Sequence, residues 1–207
     1  MKKVFSVEEI KEIESREFRK RGGDSFSLMV NAGVNCAKKI IKLVKKKPII
    51  IVCGPGNNGG DGFIIGNYLH EKKYKVEVFC LQKKYYKGDA LKAFKKLKIK
   101  TQNISKFKAR KNSVIIDCIF GTGLNKPISG TLKSVILRMN KLNKIISIDI
   151  PSGINGDTGK ILGCAVKAHT TLALHAKKIG HTLSPGKKFS RKIIVVDIGI
   201  SKKFNYK

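Results

Sequence analysis

From Pro48 onward the chain repeats one pattern, a short and nearly unbroken run of Ile and Val followed by a stretch of helical character. The runs are Ile49 to Cys53, Lys75 to Leu81, Val114 to Ile119 and Ile145 to Ile150. Helices are expected between them over Asp61 to Lys72, Ala90 to Leu97 and Leu132 to Leu142. Strands without polar alternation are covered on both faces, and strand and helix in alternation imply parallel pairing through crossovers. The expected fold class is therefore α/β: a Rossmann-like, three-layer αβα arrangement around a doubly wound, mostly parallel sheet. Thr170 to Leu174 and Ile193 to Ile198 would extend that sheet. Two helices precede it. Ser6 followed by Glu9 is a capping-box pattern opening a polar helix to about Arg21, and Ser25 is expected to cap a second helix through Met29, Ala37 and Ile41. Tyr85 to Asp89 and Lys106 to Asn112 read as surface loops.

With 207 residues, 42% of them hydrophobic, the chain suffices for one sizeable core, and one domain over 1–207 is expected. No run approaches the ~18 apolar residues of a spanning helix. Met1 to Ser6 has no apolar signal core, so the reading is cytoplasmic with no membrane partner. The five cysteines are odd in number and form no CxxC pair, so buried free thiols are expected rather than a disulfide framework or a zinc site. A net charge of +30 raises nucleic-acid binding, yet only six of the 44 basic residues are arginine, and the 38 lysines are scattered along most elements without the aromatic pattern of a base-stacking surface. A solvated lysine surface, able to attract a phosphate-bearing substrate, is the preferred reading.

The segment Gly54-Pro55-Gly56-Asn57-Asn58-Gly59-Gly60-Asp61-Gly62 lies between a strand and a helix. It reads either as a tight structural turn or as a ligand cradle, where glycines let the backbone approach a ligand and the helix start offers N–H groups to an anion. The acid that a Rossmann dehydrogenase places at the end of its second strand is missing, since Glu77 lies inside the run and Leu81 and Gln82 follow it. Asn57, Asn58 and Asp61 supply more polar atoms than a phosphate cradle needs and suit a hydroxylated ligand or a cation. Asp117 ends the third run before Gly121-Thr122-Gly123-Leu124-Asn125-Lys126-Pro127, and Asp149 ends the fourth before Pro151-Ser152-Gly153. Each Asp alone suits a turn cap, but three polar strand ends on the ligand-binding edge of an open parallel sheet place the chemistry there. The loops over Asp157 to Gly163 and Lys177 to Gly186 lie beside the same edge. Five of the 14 acids fall in the first helix, and the four histidines lack metal-ligand spacing.

GPGNNGGDG, DCIFGTGLNKPISG, DIPSGINGDTG and the closing VVDIGI occur in one order and spacing, and together they resemble the YjeF N-terminal domain family, the NAD(P)H-hydrate epimerases. The similarity runs from Leu28–Gly33 through Ile200. The resemblance implies that Asn57, Asn58, Gly59, Gly60 and Asp61, with Gly121, Thr122, Gly123, Leu124, Asn125, Lys126 and Pro127, bind the hydrated nucleotide. It implies further that Asp149 stands at the reacting ring, and that Asn58, Asp117 and Ser152 ligate a potassium ion. Lys178 matches a lysine common in the family and carries no assigned role. Val30, where the family often has Glu, and His169, where it usually has Asp, depart from the pattern.

The implied reaction is epimerisation of the R and S forms of hydrated NADH and NADPH at nicotinamide ring carbon 6. Asp149 is the expected acid/base, the enzyme is expected to be a homodimer, and a separate dehydratase is expected in the same repair route. Two alternatives stand beside it: an NAD-dependent oxidoreductase, and a non-catalytic nucleotide- or RNA-associated binding module of the same fold.

Overall fold

The computed structural model describes residues 4–141 and 144–201. In chain order the elements are β1 (Val4–Phe5), α1 (Val7–Lys20), α2 (Ser25–Val44), β2 (Ile49–Cys53), α3 (Asn57–Glu71), β3 (Val76–Cys80), α4 (Gly88–Lys95), β4 (Thr101–Asn103), β5 (Val114–Cys118), α5 (Gly130–Met139), β6 (Lys144–Ile148), β7 (Thr170–Leu174), β8 (Lys177–Lys178), α6 (Gly186–Ser190) and β9 (Lys192–Val196). Seven strands pair in the order β4-β3-β2-β5-β6-β7-β9, every pair parallel. The chain runs outward from β2 in one direction, then returns and builds from β5 in the other. That makes the junction of β2 and β5 the topological switch point.

Both sheet faces are covered, which is why the central strands lack polar alternation. Ile49, Ile51 and Cys53 pack with α2, α3 and α4 on one face. Ile50, Val52 and Ile115 pack with α5 on the other, through Val135, Ile136 and Met139. All five cysteines are buried free thiols, as expected. Among the described residues no helix is long and apolar enough to cross a membrane.

Several expectations need correction. Asp24, not Ser25, caps α2, its carboxylate accepting from the Ser27 N–H at 3.0 Å. Helix α3 begins at Asn57, so most of the glycine segment is already helical. The expected surface loops carry the buried Tyr86 and Phe107, both part of the core. The expected loop after β7 contains β8, which pairs in parallel with β1, and is followed by α6. The far end of the expected fifth helix, Leu142, lies outside the described residues.

Candidate active site

β2, β5 and β6 end at one edge of the sheet, and a cavity of about 810 Å³ opens there. Its sheet-edge wall consists of Pro55 to Asn58, Asp61, Ile119 to Leu124, and Asp149. At the switch point Gly54 donates to the Cys118 carbonyl at 3.0 Å, drawing the loops after β2 and β5 so close that a Cβ on Gly54 would run into the Ile119 carbonyl.

The facing wall is helical. Helix α1 carries two stripes: Ile10, Ile13 and Glu17 are buried, whereas Lys11, Glu14, Ser15 and Phe18 line the cavity. Both stripes follow the i, i+3, i+4, i+7 spacing of one helix face. Helix α1 is held down by β1 and by Asp157, whose carboxylate accepts from the Val7 N–H at 2.7 Å.

Asp149 is the centre of the sheet-edge wall. Its φ of 66° lies in the left-handed region, rarely adopted by L-residues other than Asn and Asp. The Ile150 N–H donates to the Ile148 carbonyl at 2.9 Å, closing a three-residue turn around it. The adjacent strand ends the same way: His175 has φ 61°, and the Ala176 N–H donates to the Leu174 carbonyl at 2.7 Å. That second turn leads into Lys178, 1% exposed, whose ammonium hydrogen-bonds one Asp149 carboxylate oxygen and the Leu174 carbonyl, the latter at 2.8 Å. The other Asp149 oxygen accepts from the Thr122 N–H at 3.2 Å. His181 closes the cluster: its Nδ1 accepts from the Lys178 N–H at 2.9 Å, so Nε2 carries the proton and donates to the Asp149 carbonyl at 3.0 Å.

These contacts set the charges. Burial opposes ionisation of Asp149, but the Lys178 ammonium and its hydrogen bond outweigh burial and hold the carboxyl below its usual value. Asp61 has no such partner; burial, then the Asp149 and Glu14 carboxylates, push it well above the usual range. Glu14 is raised to about 6, by burial first and then by Asp149, with Lys178 and Lys11 opposing. Burial is also the main cause for His181, which is lowered to about 4.

Beneath the wall, Asp117 is fully buried and ties three segments together. One oxygen accepts from Ser152 Oγ at 2.6 Å and the Ile119 N–H at 3.2 Å, the other from Ser147 Oγ at 2.8 Å and the Ser152 N–H at 3.0 Å. No lysine or arginine pairs with it among the described residues. Asn58 is 7% exposed, and both polar atoms of its amide are buried without a hydrogen-bond partner. Such an orphaned amide costs about 1–3 kcal/mol unless something satisfies it. The Asn58 Oδ1 is thus an unpaired oxygen of the kind that suits an oxygen-ligated cation, whereas the Asp117 oxygens and Ser152 Oγ already have protein partners, Ser152 Oγ accepting from the Phe120 N–H at 2.8 Å.

Of the residues implied to bind substrate, Asn57, Asn58, Asp61, Gly121, Thr122, Gly123, Leu124 and Asp149 line the cavity. Gly59, Gly60, Asn125, Lys126 and Pro127 are not among its lining residues. Gly60 packs against Met29, whose Cε would lie 2.7 Å from an added Cβ. Asn125, Lys126 and Pro127 are exposed farther along the loop. Sequence reasoning missed Glu14 and left Lys178 without a role. The signal for Glu14 was its place on the inward side of a helix whose Ile10 and Ile13 mark the buried stripe. Of the departures, Val30 packs against the core, and His169 exchanges hydrogen bonds with Ile145 of β6, its N–H donating at 2.8 Å and its Nδ1 accepting at 3.2 Å.

An open parallel sheet with a cleft at its switch point, apolar over much of its lining with a few convergent polar groups, defines a small-molecule site of the nucleotide-binding α/β class. Residues 25–180 match the family described as YjeF-related protein N-terminus, and the chain belongs to that family. It is 32% identical over 206 residues to the NAD(P)H-hydrate epimerase of Lentilactobacillus buchneri, with 97% of this chain and 96% of that protein covered. It is also 33% identical over 211 residues to the bifunctional NAD(P)H-hydrate repair enzyme Nnr of Thermofilum pendens, covering 93% of this chain but spanning only 39% of that protein. The crystal structure of yeast ynu0, YNL200c, shares the fold with a TM-score of 0.78 at 22% identity, covering 100% of this chain and 95% of that one.

Proposed function

We propose that this protein epimerises hydrated NADH and NADPH at ring carbon 6 of the nicotinamide. The observation that carries the reading is the Asp149–Lys178 pair in the wall of the switch-point cleft: a carboxylate kept ionised in a buried site, beside room for a nucleotide. Its support among relatives is the epimerase name of the L. buchneri protein, matched along nearly its whole length.

The hydrate carries its hydroxyl on the carbon next to the ring nitrogen. Inversion requires the C–O bond, or the ring, to open and re-form on the other face, which is acid–base chemistry without electron transfer. An ionised Asp149 can stabilise the positive charge that C–O cleavage leaves on the ring and take the proton of returning water, and acid–base help of this kind contributes roughly 10²- to 10⁴-fold. The start of α3, reached through Pro55 and Gly56, offers unpaired N–H groups to the phosphates. A potassium ion held by Asn58, Asp117 and Ser152 would supply positive charge where the three loops meet.

The oxidoreductase alternative has weak support, because Glu77 pairs with Arg110 at 2.9 Å and no carboxylate follows Cys80 at the end of β3. A separate dehydratase, a cytoplasmic location and a homodimer belong to the same proposal. The bifunctional relatives' names support the first. For the dimer, support comes from the open edge strand β9, where Val195 is 44% exposed. The test is to incubate purified protein with R-hydrate and follow the R to S ratio by chromatography against a protein-free control. An unchanged ratio overturns the reading. Reduction of NAD or NADP by a panel of alcohols would favour the oxidoreductase instead.

A further inference from the structure

We propose that Glu14 of α1 is a second acid–base carboxyl of this site, acting on the ring hydroxyl from the helical wall while Asp149 acts from the sheet edge. The inference rests on the epimerase reading. An inverting centre needs proton transfer on both faces of the ring, and Glu14 and Asp149 line one cavity from two different walls.

Three of the other carboxyls of the cavity are already paired. Asp24 caps α2, Asp89 holds Lys92 at 3.0 Å and accepts from Ser25, and Asp149 is bound to Lys178. Asp61 is 6% exposed and, surrounded by Asp149 and Glu14, favours its neutral form, which suits it to donate a fixed hydrogen bond. Glu14 is only partly buried, within reach of solvent for proton exchange, and faces Asp61, Asp149 and two cations, Lys11 on its own helix and Lys178. Lined up with Lys11, Ser15 and Phe18, it lies on the stripe that α1 turns to the cavity. Burial raises its carboxyl to about 6, whereas Lys178 holds that of Asp149 below its usual value.

The step balances without any further reactant. Protonated Glu14 gives its proton to the departing hydroxyl; the C–O bond breaks with its electron pair on oxygen, water leaves, and the ring-nitrogen lone pair becomes the N=C π bond. Water then adds to the other face, the π pair returns to nitrogen, and ionised Asp149 takes the surplus proton. One proton has moved from Glu14 to Asp149, and exchange with solvent restores the starting state. The reverse epimerisation uses the same pair in exchanged roles, so both directions need one proton on the pair.

The test compares wild type, Glu14→Gln and Glu14→Asp for epimerisation in both directions, hydrate binding by calorimetry, and melting temperature. Glu14→Gln should lose roughly 10²-fold or more in rate while binding changes less than about threefold. Wild-type kcat/KM should fall as pH rises through about 6, and that limb should be missing in Glu14→Gln. Glu14→Asp should keep a measurable fraction of the rate, and it decides the matter if the Gln protein melts early. A Glu14→Gln protein with wild-type rate and an unchanged limb overturns the role of Glu14 and leaves the epimerase reading standing. Inactive wild type overturns both.

Discussion

The ammonium of Lys178, buried at 1% exposure, hydrogen-bonds a carboxylate oxygen of Asp149, and His181 bridges the two backbones from below. Each of the two charges is tolerable only because of the other. Lys178 lies among the Leu174 carbonyl, His181 and the β1 pairing, with Asp149 as its anionic partner. The pair therefore links the integrity of the fold to the state of the reactive carboxylate.

Lys178→Met should both weaken the fold and silence the site. Removing one partner of a buried pair costs about 3–5 kcal/mol, which for a chain of this size lowers the melting temperature by roughly 10 °C. The rate per folded molecule should fall as well, because Asp149 loses the main influence that keeps it ionised. Calorimetry and the chromatographic rate assay check the two effects separately; a variant with unchanged melting and rate would show that the pair matters to neither.

Asp149→Asn tests the carboxylate itself. Asn tolerates the left-handed backbone that Asp149 adopts, so the turn should survive. The rate per folded molecule should drop by roughly 10²-fold or more. Some stability is lost too, since Lys178 is left without its anion. An Asn variant that melts early yet retains its rate per folded molecule would mark Asp149 as structural only.

His181 should make the protein lose stability on mild acidification, against the opposing pull of carboxyls such as Asp61 and Glu14 whose values are raised. Its folded value is lowered from 6.5 to about 4, so below pH 6.5 the unfolded chain binds the proton more readily and stability falls with pH until about pH 4. At full extent this amounts to about 3 kcal/mol. Glu14, raised to about 6, acts in the opposite sense, favouring the folded state more as pH falls through that value. Denaturant titrations of wild type and His181→Gln between pH 4 and 7 should give a difference that shrinks as pH falls. A constant difference would exclude His181 as the source.

Potassium should stabilise the wild-type protein but not Asn58→Ala. Without the ion the Ala variant should equal or exceed wild type, because it removes a buried amide that has no partner. With potassium the order should reverse, and tetramethylammonium should not substitute. Thermal shifts in the two salts decide it: equal responses of both proteins would count against the cation site.

The sheet was legible in the sequence because strands covered on both faces reduce to runs of Ile and Val. β2 and β7 fall on the expected residues, and β3, β5, β6 and β9 within a few. What escaped notice lacks that pattern. β4 is three mostly exposed residues at the sheet edge, and β8 is two lysines paired to the chain start. Phe107 stands alone in a polar stretch and Tyr86 follows the exposed Tyr85 in another, and burial of one residue leaves no period to read. The glycines of α3 suggested a loop by propensity. They are helical because the helix packs so tightly against the strand ends that Gly62 could not carry a Cβ without meeting Cys53 Sγ at 2.6 Å.

By itself the sequence determined the strand runs, the glycine segment and the three polar strand ends, since periodicity, turn chemistry and backbone freedom are properties of neighbouring residues. Only the tertiary structure decided which charges meet. It laid α1 over the sheet edge so that Glu14 faces the cavity with Asp149, and it buried Lys178 against that same Asp. Desolvation and Coulomb interaction act through space, at distances set by packing, so a Glu on a polar helix and one lysine of 38 carry no local mark of the role they take.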